Sequence, residues 1–141
     1  MTSTIIIKNI RIFLIILLFL IIIDSLVINT LKSDIYKNEL KDIVKSEGSS
    51  LFSSIWALFF VYILIAFALA FYVFLPNILN ELNAFLKGSL LGFIIYGIYN
   101  FANYSFIKEW SFTLLIVDII WGTVLCGLVA FLTFFVNKLF R

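Results

Sequence analysis

Two aspartates stand inside runs otherwise fit for lipid: Asp24 in "FLIIIDSLVI" and Asp118 in "LLIVDIIWGT". A further stretch, "YGIYNFANYSF" from Tyr96 to Phe106, brings three tyrosines, two asparagines and a serine into an equally apolar region. A carboxylate at membrane depth costs about 2.5–3.5 kcal/mol on insertion scales, and such a residue is a functional hypothesis by default. With amides and phenols beside it, a carboxylate can hold a cation, pass a proton or orient a small polar solute. Two carboxylates can also divide acid and base work between them. The sequence shows no nucleophile or cofactor motif to accompany them, so no catalytic residue is assigned.

Helical spacing gathers these residues. Gly88, Gly92, Tyr96, Tyr99, Asn100 and Asn103 follow one another at steps of three and four, which is one face of a helix. The glycine end of that stripe, G-x-x-x-G, permits close approach of another helix, and the amide end offers hydrogen bonds. Asp24, Asn100 and Asp118 each lie six or seven residues inside one end of an apolar run. At 1.5 Å per residue all three sit about 10 Å below the same surface, with Asn103 about one turn shallower. Three helices thus deliver carboxylates and amides to one layer. No lysine or arginine within the apolar runs pairs with the aspartates, although Lys32 and Lys108 stand at the rim.

Two readings of the layer stay open: a site for an ion, proton or small solute, and polar contacts that hold helices in register, each worth about 0.6 to 2 kcal/mol. In "VDIIWGTVLCG", Asp118, Trp121, Gly122 and Leu125 share a face. Trp121 is read first as core filling, and second as an indole donor to the polar layer.

The elements that must carry these residues follow from composition. Of 141 residues, 64% are hydrophobic and 13% charged, against about 45–50% and 25% in soluble domains. The solvent for this chain is lipid. A spanning helix needs about 20 mainly apolar residues, and four stretches qualify, at about 12–31, 51–75, 84–107 and 112–136. The first, preceded by Lys8 and Arg11 and lacking an A-x-A-like cleavage site, reads as a retained signal-anchor. Pro76 ends the second. The short links before and after the third make antiparallel hairpins. Trp56, Trp110 and the end-of-helix tyrosines suit an interfacial aromatic belt.

The long connection, "KSDIYKNELKDIVKSEGSS", spaces Tyr36, Leu40, Ile43 and Val44 as an amphipathic helix, with Lys37, Lys41 and Lys45 on another face. It is expected to lie on the membrane surface. The fold class is therefore an all-α, integral membrane four-helix bundle with a short amphipathic surface helix between helices 1 and 2, one domain over residues 1–141.

Other function classes are poorly served. A net charge of +2 with scattered basic residues leaves no nucleic-acid footprint. Histidine is absent and Cys126 is the lone cysteine, so neither a metal nor a cofactor is expected. Lys87 stands too near a helix start for a pigment Schiff base. The lipid bilayer is the expected partner, and a homo-oligomer is the expected route to any pore, because four helices enclose little space. Lysine and arginine divide five against five between the two sides, so the positive-inside rule does not choose an orientation. Both termini are placed on one side, taken as cytoplasmic.

The stretch Lys87–Leu128 resembles the domain-of-unknown-function family 2177, small predicted membrane proteins. The resemblance rests on a glycine-rich helix start, Tyr96, Tyr99, Asn103, Trp110, Asp118, Trp121 and Gly122, and extends less sharply to Asp24, Tyr36, Leu40 and "FYVFLPN". It covers about Ile12 to Phe135. Asn100 stands where the family pattern leads one to expect an aspartate, and "VIN" (Val27–Asn29) where it leads one to expect a tryptophan. The resemblance implies four membrane helices and supplies no activity. The expected site comprises Asp24, Tyr96, Tyr99, Asn100, Asn103, Asp118 and Trp121, with Gly88, Gly92 and Gly122 packing the helices and no metal.

Overall fold

The computed structural model describes residues 2–30, 52–75 and 80–140. The expected surface helix and the turn at Pro76 lie outside these residues. Among the described residues four α-helices run in order: α1 (Thr2–Thr30), α2 (Phe52–Leu69), α3 (Glu81–Phe106) and α4 (Phe112–Leu139). Each is long and apolar enough to cross a bilayer, over Thr4–Val27, Trp56–Phe74, Glu81–Phe106 and Phe112–Leu139. The chain is an all-α multi-pass membrane protein.

Helix ends differ from the expected spans for local reasons. α1 begins at Thr2, because nothing in "TSTIIIKNI" breaks a helix; helix and hydrocarbon span are different lengths. α3 begins at Glu81, since the Asn80 side chain accepts the Asn83 backbone N–H at 2.8 Å and caps it. Ser111 caps α4 in the same way, accepting from the Leu114 N–H at 3.0 Å. α2 continues as a π-helical turn, Ala70–Phe74, closed by the Leu75 N–H on the Ala70 carbonyl at 3.1 Å.

Lipid tails are as apolar as leucine, so helices in a membrane associate through close packing and hydrogen bonds. α3 and α4 show the packing part. A Cβ on Gly88 would lie 2.5 Å from the Cys126 carbonyl oxygen and 2.7 Å from the Ala130 Cβ. One on Gly92 would collide with the Gly122 carbonyl, and one on Gly122 with the Tyr96 ring. The pairs Asn100–Asp118, Gly92–Gly122 and Gly88–Cys126 follow the pattern of an antiparallel hairpin. The G-x-x-x-G face of α3 is thus spent on α4 within the chain.

α1 closes the bundle against α4, and α2 packs on α1 and, through its π-helical turn, on α3. Ile12, Ile16 and Leu20 of α1 are buried at every fourth residue, while Ile10, Leu14, Leu18 and Ile22 face outward. They pack with Tyr62, Ile65, Ala66, Leu69 and Val73, and with Leu125, Cys126, Val129, Ala130 and Phe134 of α4. At one end of the bundle the Arg11 Nη2 donates to Asn137 Oδ1 at 2.9 Å, joining the start of α1 to the end of α4.

Candidate functional site

Asp24 continues the buried stripe of α1 four residues beyond Leu20, and is 8% exposed. Both of its oxygens receive donors from other helices. The Tyr62 hydroxyl of α2 donates to Oδ2 at 2.7 Å, and the Trp121 indole N–H of α4 donates to Oδ1 at 2.7 Å. This knot ties three helices at one level. Trp121 also packs against the core cluster, so the indole does both of the jobs that the sequence leaves open, and core filling alone is too narrow a reading.

A second knot joins α3 to α4. Asn100, fully buried, donates through Nδ2 to Asp118 Oδ2 at 2.8 Å and to the Tyr96 carbonyl of its own helix at 3.0 Å. Its Oδ1 accepts the Trp110 indole N–H at 3.2 Å. Trp110 is therefore not a lipid-facing belt residue. It is 9% exposed, folded inward with Leu114, Leu115 and Ile119, and stands over the amide as its donor. Trp56 does face outward, at 62% exposure.

The polar residues form these two knots, about one helical turn apart along α4: Asp24 meets Tyr62 and Trp121, and Asp118 meets Asn100. Tyr96 lies between them: its ring covers Gly122, and it is within electrostatic reach of both Asp24 and Asp118. Tyr99 is 54% exposed, with its ring edge-on to Trp110 at 5.8 Å between centroids. Asn103 is half-buried one turn further on, and its side chain takes part in neither knot.

Two participants are not legible as donors in the sequence. Tyr62 sits in "FFVYILIAF" with only apolar neighbours, where a tyrosine reads as bulk. Its depth is the available signal, since about 15 Å separates it from the start of α2 and an aromatic belt residue belongs at the rim. Trp110 reads as a belt residue because it lies between two helices, and a hairpin turn folds such a residue inward or outward without altering the sequence pattern.

A groove of about 370 Å³ opens between α2 and α3. Leu58, Val61, Leu64, Ile65 and Ile95 make its aliphatic walls, Tyr96 and Tyr99 its aromatic ones, and Asp118 supplies a carboxyl group. Leu58, Val61 and Leu64 are outward-facing residues of α2, so the mouth of the groove faces the lipid phase. Among the described residues no cluster of three or more acidic, cysteine or histidine side chains could hold a metal.

No curated protein and no solved structure matches this chain. The model of a family described as predicted membrane proteins, DUF2177, matches residues 9–135, from the second turn of α1 almost to the end of α4, and the chain belongs to that family.

Proposed function

We propose that this membrane protein holds a small cationic, partly apolar solute in the groove between α2 and α3, with Asp118 as counter-charge and Tyr96 and Tyr99 as aromatic walls. The observation that carries the reading is one carboxyl group lining an otherwise aliphatic and aromatic groove that faces lipid. Small-molecule sites commonly combine apolar walls with a few polar groups, and tyrosine faces attract cations. Asn100 and Trp110 are positioning residues: the indole orients the amide, and the amide orients the carboxylate.

Asp24 has a different role. With both oxygens engaged by donors from two other helices, it fastens helices in register, and this observation favours a structural reading for that knot alone.

The test is equilibrium binding of tetraphenylphosphonium to the protein in lipid nanodiscs, with tetraphenylborate as an anion of the same shape. Saturable binding of the cation is expected, weakened about tenfold in Asp118→Asn, which loses a charge-assisted contact, and unchanged in Asp24→Asn. The Asn100 amide can still donate to the substituted side chain, so Asp118→Asn keeps the knot. Equal binding by wild type and Asp118→Asn, or equal saturable binding of the anion, would sink the proposal.

A further inference from the structure

We propose a second site, at the opposite end of the bundle, where Arg11 binds the phosphate of an anionic phospholipid whose acyl chain lies along α1. The guanidinium carries five N–H donors, and the protein takes up few of them. Nη2 donates to Asn137 Oδ1 at 2.9 Å, while the buried Nε finds no partner. The planar group is held in place over the Phe140 ring, with Cζ 5.1 Å from the centroid. No carboxylate among the described residues pairs with it; the ion pair at this end joins Lys138 to Glu81 at 3.1 Å. An arginine that is oriented, stacked and without a counter-ion among the described residues is suited to an oxyanion that accepts from its Nη groups.

Two further observations identify the anion as part of a lipid. The first is depth. α4 from Phe112 to Asn137 is about 38 Å long, longer than the hydrocarbon core of about 30 Å and within the about 40–45 Å that includes the headgroup regions. Ser111 caps one end of this helix and Arg11 meets the other, which puts the guanidinium among headgroups. The second is the surface below it. An apolar groove of about 390 Å³ runs along α1 past Arg11, lined by Ile7 and Ile10 before it and by Leu14, Ile15 and Leu18 after it. Leu14 and Leu18 follow Arg11 toward the bilayer centre at 56% and 57% exposure. A free phosphate would use only the guanidinium; a phospholipid covers the groove as well. Lys8, one turn earlier and exposed, adds a second positive charge at the mouth.

Native mass spectrometry of the whole chain from mild detergent, supplied with phosphatidylglycerol or with phosphatidylcholine of the same chains, tests this site. One phosphatidylglycerol per chain is expected to survive gentle activation. Retention should fall about tenfold in Arg11→Gln, as for loss of a charge-assisted bond, and stay unchanged in Lys138→Gln, which removes a charge at the same end. Inorganic phosphate in millimolar excess should not displace the lipid. Equal retention of phosphatidylcholine by the wild type, displacement by inorganic phosphate, or undiminished retention by Arg11→Gln would each overturn the proposal. The headgroup comparison needs no variant, so equal retention of phosphatidylcholine overturns the proposal even if Arg11→Gln does not fold.

Discussion

Asp24 gives the sharpest test of how this bundle holds together. Trp121 can only donate through its indole, whereas the Tyr62 hydroxyl both donates and accepts. An asparagine at position 24 satisfies both: its Oδ1 takes the indole N–H, and its Nδ2 donates to the phenol oxygen. A leucine satisfies neither and strands two donors in a low-dielectric layer. Interhelical hydrogen bonds in membranes average about 0.6 kcal/mol and reach about 1.7, so two of them are worth about 1–3 kcal/mol. Both variants remove the carboxylate, and the gap between them isolates the stranded donors. Asp24→Leu should therefore be about 1–3 kcal/mol less stable than Asp24→Asn in thermal or dodecyl-sulfate unfolding from mild detergent. The cycle with Tyr62→Phe sharpens the test: that substitution should cost about 1 kcal/mol in the wild type and little in the Asp24→Leu background. Should Asp24→Leu match Asp24→Asn, or Tyr62→Phe cost the same in both backgrounds, the knot contributes nothing and the reasoning fails.

Gly92→Ala should lower stability by about 1–3 kcal/mol, as overpacking does, because the new methyl meets the Gly122 backbone, which cannot rotate away. Gly97→Ala is its control: nothing lies within 4 Å of that Cβ, and stability should hold or rise. Trp110→Phe should cost about 1 kcal/mol through loss of the donor to Asn100, with Trp56→Phe near neutral; equal effects in unfolding would place Trp110 in the lipid-facing belt after all.

Residue order alone establishes that the solvent is lipid, that four helices cross it, and most of the α3 face that turns inward, although Tyr99 on that stripe is 54% exposed. These follow from one-dimensional quantities: the length of apolar runs, and the three-and-four spacing of Gly88, Gly92, Tyr96 and Asn100. Depth along a helix is legible too, at 1.5 Å per residue. It brings Asn100 level with Asp118, where the two are bonded.

Other features depend on how the helices pack. In "IFLIILLFLIII" every face of α1 is equally apolar, so composition cannot say that Ile12, Ile16 and Leu20 are buried and Leu14 and Leu18 are not. Counting back from Asp24 in fours does recover the stripe, but only once that aspartate is known to face inward. Partner choice is less accessible still. Asp24 and Asp118 lie within about a turn of the same depth, yet one meets Trp121 and Tyr62 and the other Asn100. Which donor each carboxyl group finds depends on the rotation of four helices about their axes. In lipid no hydrophobic force sets that rotation; glycine contacts and the polar knots themselves set it.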